Sequence, residues 1–208
     1  VPLVWTSWEL VSRSRESIES NQKEWQLDKA RLISTQVAIY VDGLRTQVAA
    51  IARTLEVDPG PGSFAGRLAR IKEEKALERY LKNSASLVYV SVVDPTGIGA
   101  QSGLDLVGDA RLQEQLAEAF QRGQHGKAMI SVPVVSESLL EPVVVIGEPV
   151  TIGGRVEGVV LAVASLQPIR TITKQSGGGG LFEVYVVDNR GWIIAHSDPD
   201  QPLSTDVS

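Results

Sequence analysis

The stretch "SLVYVSVVDPTGIGAQS", residues 86–102, carries the strongest fold signal in the chain. The β-branched and aromatic residues before Asp94 are typical of a strand. Asp94-Pro95-Thr96-Gly97 matches a type I turn, which favours Asp first, Pro second and Gly last. The stretch therefore predicts a β-hairpin at the start of a sheet.

The segments around this hairpin complete an α+β pattern. A helical pattern precedes it with Ser63 as a plausible N-cap, and a short helix is predicted for residues 109–123, with Gly123 as its C-terminal stop. Gly153-Gly154 is a two-residue hairpin signal between the last two of three further β segments. These segments cover residues 127–135, 142–152 and 156–166. We expect residues 58–175 to form one antiparallel sheet with helices on at least one face.

A long helix is predicted before this α+β module. From about Thr6 to Glu56, apolar residues follow three- and four-residue spacing, and Gly43 is the only Gly or Pro. Such a helix would be about 75 Å long at 1.5 Å per residue. We expect residues 1–57 to form a stalk whose more apolar second half packs on the module. The alternative is a helix that breaks near Gly43 and folds back.

A similar hairpin pattern recurs in "VYVVDNRGWIIAHS", residues 184–197. The Asp and Gly of the turn and the valines before it recur in the same order. This copy follows "SGGGG", residues 176–180, whose composition is typical of a flexible connector. We expect residues 176–208 to hold a connector and the first hairpin of a second module, which is truncated.

Composition excludes several function classes. The net charge of −5 makes nucleic acid an improbable partner, and the absence of Cys removes disulfides and thiolate chemistry. The chain holds no run of about 18 apolar residues that could span a bilayer. Trp5 and Trp8 in the opening "VPLVWTSW" suit the interface beside an upstream transmembrane helix, although an arbitrary chain start explains them equally well.

No catalytic, metal or cofactor signature emerges from the motifs. "GIGAQSG" lacks the spacing and the following helix of a dinucleotide-binding loop. His196, Ser197 and Asp198 have the composition of a catalytic triad, but sequence neighbours rarely converge in the geometry that acyl transfer needs. Asp198, Asp200 and Asp206 lack the spacing of a calcium loop. We therefore predict a protein that is not an enzyme and that has no metal site or cofactor.

The order of these segments resembles the double Cache (dCache, PAS-like) family of extracytoplasmic sensor domains in bacterial transmembrane receptors. The likeness lies in the helix "SIESNQKEWQLDKARLISTQVAIYVDGLRTQVAAIARTLE", the hairpin "VYVSVVDPTG", the strand pair "VVVIGEPVTIGGRVEGVVLAVASL" and the re-entry "FEVYVVDNRGWIIAHSDPD". The resemblance implies a stalk that rises from the membrane, a membrane-distal sensor module at residues 58–175 and a membrane-proximal module that starts at the second hairpin.

The resemblance also bears on the ligand. Amino-acid-binding members of the family carry an Arg-x-Trp-Tyr cluster, whereas the corresponding region here reads "RGQHGKAMISVP", and no Trp lies between Trp25 and Trp192. A standard amino acid is accordingly disfavoured. Members otherwise bind small molecules such as carboxylates or amines in the distal module.

Four polar residues are the candidate ligand-binding residues. Ser131, Glu148 and Ser165 interrupt otherwise apolar strands, and Arg111 on the short helix could neutralise a carboxylate ligand. Each has a plain alternative: the serines bond to backbone, and Glu148 and Arg111 face water.

The leading hypothesis is a ligand-sensing domain in the periplasmic or extracellular part of a bacterial inner-membrane protein such as a histidine kinase, chemoreceptor, cyclase or phosphatase. Ligand binding in the distal module would shift the long helix, which would pair with a second copy in a homodimer. Segments outside this chain would tether the domain to the membrane. The alternative is a ligand-free structural or dimerisation module of a membrane protein.

Overall fold

The computed structural model describes residues 2–57, 63–177 and 183–198, with side chains of the first helix described from residue 21 onward. The helices are α1 (Pro2–Val57), α2 (Phe64–Glu73), α3 (Ala76–Lys82), α4 (Ala110–Gln124) and α5 (Gln167–Ser176). The strands are β1 (Leu87–Val93), β2 (Gly99–Gly103), β3 (Met129–Ile130), β4 (Val134–Ser136), β5 (Glu141–Ile152), β6 (Arg155–Ser165), β7 (Tyr185–Val187) and β8 (Ile193–His196).

Helix α1 is continuous through Gly43, so the broken-helix alternative is wrong. The chain divides into two compact units, residues 1–39 and 40–208. In the second unit, α1 packs on the module as predicted. Its apolar stripe is buried at Leu44, Val48, Ile51 and Leu55. The phenol O–H of Tyr40 donates to the carbonyl of Ser165 at 2.6 Å, which fixes α1 to the end of β6.

The core of the second unit is a six-stranded antiparallel sheet with strand order β2-β1-β6-β5-β3, in which β4 also pairs with β5. The predicted α+β class with an antiparallel sheet is confirmed. Gly153 and Gly154 join β5 to β6 and both have positive φ, as the predicted two-residue hairpin requires.

The two faces of the sheet are covered by different helices. On one face α4 packs against alternate β5 and β6 residues such as Val145 and Val163. This approach is close, because a Cβ added at Gly123 of α4 would lie 2.5 Å from a methyl of Val159. Helix α4 continues past Gly123 to Gln124, so the predicted stop at Gly123 is wrong. The residue with left-handed backbone beyond the helix is Gly126. The remaining alternate residues face the side where α1 packs.

Two further local predictions differ from the structure. The predicted strand over residues 127–135 is two short strands, because Pro133 has no N–H and the Ser131 hydroxyl takes the bond from the Val145 N–H at 2.9 Å. The helix after Ser63 breaks at Lys75, where φ is +50°. Helix α5 was not predicted. Residues 58–62 and most of the Gly-rich connector lie outside the described residues.

Both hairpins use the same turn. In each, the Asp side chain (Asp94 or Asp188) accepts bonds from the backbone N–H groups two and four residues later. The Gly three residues after the Asp, Gly97 or Gly191, has a φ of +85°. The β7–β8 hairpin forms a two-stranded sheet separate from the six-stranded one. That it opens a second, truncated module stays a prediction.

Candidate functional site

A cavity of about 250 Å³ lies between α4, the segment 132–135 and the β7–β8 hairpin. Its size is slightly below the range of about 300–1,000 Å³ that is usual for drug-sized ligands, so it suits a smaller molecule. Its lining combines an apolar wall with charged groups of both signs. The lining residues are Arg111, Glu114, Gln115, Val132, Pro133, Val134, Val135, Pro142, Asp188, Arg190, Trp192, Ile193 and Ile194.

The first turns of α4 supply one polar side of the cavity. Arg111, Glu114 and Gln115 share a helix face because they are spaced at i, i+3 and i+4. The side-chain oxygen Oε1 of Gln115 is buried and has no hydrogen-bond partner in the described part of the chain. A buried carbonyl oxygen without a donor is costly, so this atom favours a ligand that donates a hydrogen bond.

Asp109 holds this end of α4 in place. Its fully buried carboxylate accepts a bond from the Leu112 N–H at 3.2 Å, which is the bond of a helix N-cap. The other oxygen accepts bonds from the Ser136 hydroxyl at 2.8 Å and the Glu137 N–H at 2.9 Å. Asp109 therefore ties α4 to the end of β4, the two elements that border the cavity.

The turn of the second hairpin supplies the opposite polar side. The Arg190 guanidinium pairs with the Asp188 carboxylate at 2.7 Å and lies 4.8 Å from the centre of the Trp192 ring. It also donates to the carbonyl of Pro133 at 3.3 Å, which connects the hairpin to the segment 132–135. Burial alone raises the pKa of Asp188, but backbone N–H donors of Trp192 and Arg190 and the guanidinium outweigh it and hold the pKa below its ordinary value.

The four residues predicted to bind a ligand occupy different places. Arg111 lines the cavity and has no ion-pair partner in the part of the chain that the structure describes. The Ser131 hydroxyl donates to the Val132 carbonyl and accepts from the Val145 N–H. The Ser165 hydroxyl accepts from the Gln167 N–H at 3.1 Å. Both serines therefore have backbone partners, and their role in ligand binding stays a prediction.

Glu148 lies outside the cavity. It pairs in register with Val160 on β6 and lies within electrostatic range of Arg45 and Arg53 of α1. Its Oε2 atom is buried without a hydrogen-bond partner among the described residues. Burial raises the pKa of Glu148, and the two arginines offset this only in part.

Replacing Glu148 by Gln is expected to raise the free energy of unfolding at pH 7, because burial penalises the charged carboxylate. Since the pKa is raised on folding, the penalty acts fully above the folded pKa and disappears as the pH falls below the ordinary value of about 4.3. Urea unfolding at pH 7 and pH 4 measures the difference in the free energy of unfolding between the Glu148→Gln variant and the native chain. The exposed Glu73→Gln is the control, and a variant that is less stable than the native chain at pH 7 would contradict the expectation.

The sequence did not point to most of the cavity lining. A usable signal was present on α4, where Glu114 and Gln115 follow Arg111 on one helix face. Arg190 and Trp192 could not be found in this way, because they reach the cavity only when the second hairpin lies against residues about 57 positions earlier in the chain.

The described residues contain neither a metal-binding cluster nor a membrane-spanning helix. Among the described residues, no group of three or more His, Asp or Glu side chains is arranged to hold a metal ion. In that same part of the chain, no helix combines the length and the apolar character that crossing a bilayer requires.

Comparison with known proteins places this geometry in a family. A family model described as Cache domain matches residues 12–208. The comparison with curated proteins found no match. Several solved structures share the fold, and 57 chains match significantly.

The similar structures include three chemoreceptor domains with a bound ligand. The ligand-binding domain of the Pseudomonas aeruginosa PAO1 amino acid chemoreceptor PctC in complex with GABA is 18% identical, with 80% of this chain and 71% of that chain covered and a TM-score of 0.59. The sensory domain of the Campylobacter jejuni chemoreceptor Tlp3 (CcmL) with isoleucine bound is 13% identical, with 84% and 72% covered and a TM-score of 0.63. The P. aeruginosa PctB domain in complex with L-Arg is 24% identical, with 79% and 66% covered and a TM-score of 0.53.

These findings correct one prediction. The missing Trp-Tyr cluster led us to disfavour a standard amino acid as ligand, yet the similar solved domains hold isoleucine, L-Arg and the amino acid GABA. The prediction against amino acids is therefore wrong. An absent motif excludes one way of binding a zwitterion, whereas other charged groups can serve the same purpose.

The family match spans nearly the whole chain, and the antiparallel sheet, the long α1 helix and the repeated hairpin agree with it. The chain belongs to the Cache domain family, the extracytoplasmic sensor domains of membrane receptors.

Proposed function

We propose that this chain senses a small amino acid, bound in the cavity between α4 and the β7–β8 hairpin, on the periplasmic or extracellular side of a bacterial membrane. The observation that carries the proposal is the lining of that cavity, which sets positive and negative groups around an apolar wall. Segments outside residues 1–208 would tether the domain to the membrane. The role is one of binding and signalling without catalysis.

The charged groups suit the two ends of a zwitterion. Arg111 offers a guanidinium to a carboxylate, and such charge-assisted bonds are about twice as strong as neutral ones. Glu114 and the buried Oε1 of Gln115 offer acceptors to an ammonium group. Arg190 is already paired with Asp188, so its charge attracts a ligand carboxylate less than that of Arg111. Its main contribution is to the shape of the cavity.

The apolar part of the lining suits an aliphatic side chain. It consists of valines and prolines from the segment 132–135 and β5, together with Ile193, Ile194 and Trp192 from the hairpin. A buried methylene contributes about 0.8 kcal/mol. We therefore expect branched aliphatic amino acids to bind more tightly than glycine.

The position of the cavity suggests how binding is transmitted. A ligand there would contact both the six-stranded module and the second hairpin, so it would favour the arrangement in which the two lie together. A ligand shifts an equilibrium only through its different affinity for the two states. The hairpin is therefore the element whose position we expect to respond to the ligand.

A thermal-shift screen with the standard amino acids and GABA tests the proposal. At a ligand concentration of 100 times Kd, stabilisation of about 2.7 kcal/mol is expected. For a ligand that stabilises the protein, the analogues that lack either the amine or the carboxylate should stabilise it much less. If no amino acid stabilises the protein, the proposal fails and the ligand-free structural module is favoured.

A homodimer through α1 is the second part of the proposal. Among the described side chains of residues 21–39, four large apolar ones are exposed: Leu27 at 57% and, at a spacing of seven, Trp25 at 48%, Leu32 at 59% and Ile39 at 67%. Helices pair in coiled coils through apolar residues at two positions of each seven-residue repeat, and the stripe of Trp25, Leu32 and Ile39 supplies one of these positions. We infer that this stripe contacts the same stripe of a second copy.

Replacing Leu32 by Glu is expected to weaken the dimer at least tenfold, because it would place a charge in each copy of an apolar contact. Sedimentation velocity over a concentration series measures the dissociation constant. Ser34→Glu, at another exposed position of the same helix, is the matched control. Equal weakening by both variants, or a native chain that stays monomeric throughout, would contradict the expectation.

A further inference from the structure

A second cavity of about 210 Å³ lies at the junction of the last turns of α1 with α2, α3 and β1. It shares no lining residue with the first cavity. Its apolar wall includes Ile51, Leu55, Ile71, Leu77 and Val92. The feature that sets it apart from an ordinary packing gap is the presence of three arginines in its lining.

Arg67 of α2 is the central polar group of this cavity. Its Nη1 atom donates to the carbonyls of Leu55 and Glu56, the latter at 3.4 Å, near the C-terminal end of α1. Its Nε atom is buried and has no partner among the described residues. A buried cationic N–H group without an acceptor is costly. This edge of the guanidinium therefore favours a ligand that supplies an acceptor oxygen.

The charges around Arg67 favour an anion. Arg70 and Arg79 also line the cavity; Arg79 lies 3.4 Å from the Glu74 carboxylate, and Arg70 has an interaction partner as well. Among the described lining residues, arginines therefore outnumber carboxylates three to one, although the chain as a whole has a net charge of −5. A guanidinium edge of Nε and Nη matches the two oxygens of a carboxylate.

We propose that this second cavity binds a small aliphatic carboxylate, with its carboxylate group on Arg67 and its hydrocarbon chain against Leu55, Ile71 and Leu77. The apolar wall distinguishes such a ligand from an inorganic anion, which would gain nothing from it. Because Arg67 also bonds to the last carbonyls of α1, the ligand would fix the group that caps this helix. Binding here would thus act directly on α1.

Titration with acetate, butyrate and hexanoate, followed by NMR of the isotope-labelled chain, tests the proposal. Each added methylene is expected to tighten binding by up to about fourfold, because about 0.8 kcal/mol is gained per buried CH₂. The amide signals of Ile71 and Leu77 should shift. Phosphate that binds as tightly as hexanoate, or an absence of any shift at these residues, would overturn the proposal.

Two variants separate binding from folding. Arg67→Lys keeps a charge near the α1 carbonyls but lacks the guanidinium edge, so it should lose at least tenfold in hexanoate affinity, whereas Arg122→Lys on α4 should lose none. Ala76→Leu narrows the cavity without touching an arginine and should also weaken binding. Arg111→Ala in the first cavity should bind hexanoate like the native chain. The result for the second cavity can therefore be distinguished from the result for the first. Native-like binding by both Arg67→Lys and Ala76→Leu would overturn the proposal.

Discussion

Replacing Asp109 by Ala is expected to lower the free energy of unfolding by about 2–4 kcal/mol, since it removes an N-cap bond and leaves buried donors unsatisfied. The carboxylate is fully buried and accepts three bonds, from Leu112, Ser136 and Glu137. The N-cap alone is worth about 1 kcal/mol. Each donor that stays buried without an acceptor adds about 1–3 kcal/mol. The Glu137 N–H adds less, because Glu137 is exposed and its N–H can bond to water.

Urea unfolding of the two proteins measures this loss. Asp105→Ala is the matched control, because Asp105 is exposed and accepts one bond, from the Val107 N–H at 3.0 Å. The control should lose less than about 1 kcal/mol. An Asp109 variant as stable as the Asp105 variant would contradict the view that this carboxylate joins α4 to β4.

Replacing Arg111 by Ala is expected to weaken binding of the amino acid at least tenfold. A hydrogen bond to a charged group contributes about 1.5–3 kcal/mol, which corresponds to about 10–150-fold in affinity. Arg111 is exposed at its cavity and unpaired within the described chain, so its removal should cost little stability.

Isothermal titration calorimetry compares this variant with Arg122→Ala. Arg122 lies on the same helix but pairs with Glu118 at 2.8 Å and does not line the cavity. Its replacement should leave affinity within about twofold of the native value. Equal losses in the two variants would indicate a general effect of charge rather than a contact with the ligand.

Local sequence signals predicted most of the fold, because turns and helix faces are determined by residues close together in the sequence. The Asp and Gly positions of both turns follow from backbone bonds within five residues, and the apolar spacing of α1 marks the side that is buried at Leu44 and Val48. The Gly153-Gly154 turn follows from the same kind of evidence. Short elements were harder: α5 has ten residues and begins beside Pro168, and its apolar positions are few.

The candidate site depends on contacts between distant parts of the chain, which is why only Arg111 of the cavity lining was predicted. Ser131 and Ser165 were chosen because polar residues in apolar strands stand out, yet the structure gives each a backbone partner. Glu148 stands out for the same reason and lies on the side of α1. A residue's strand position shows that it is buried, whereas its neighbours across the fold decide what it contacts.

The central claim is that an amino acid occupies the cavity between α4 and the second hairpin. The most direct test is to titrate the best ligand from the thermal-shift screen into isotope-labelled protein and to follow its NMR spectrum. We predict that the side-chain amide of Gln115, the indole N–H of Trp192 and the backbone amides of residues 132, 134 and 135 shift together and saturate at one dissociation constant. Saturable shifts that leave these groups unchanged and appear elsewhere would contradict the claim.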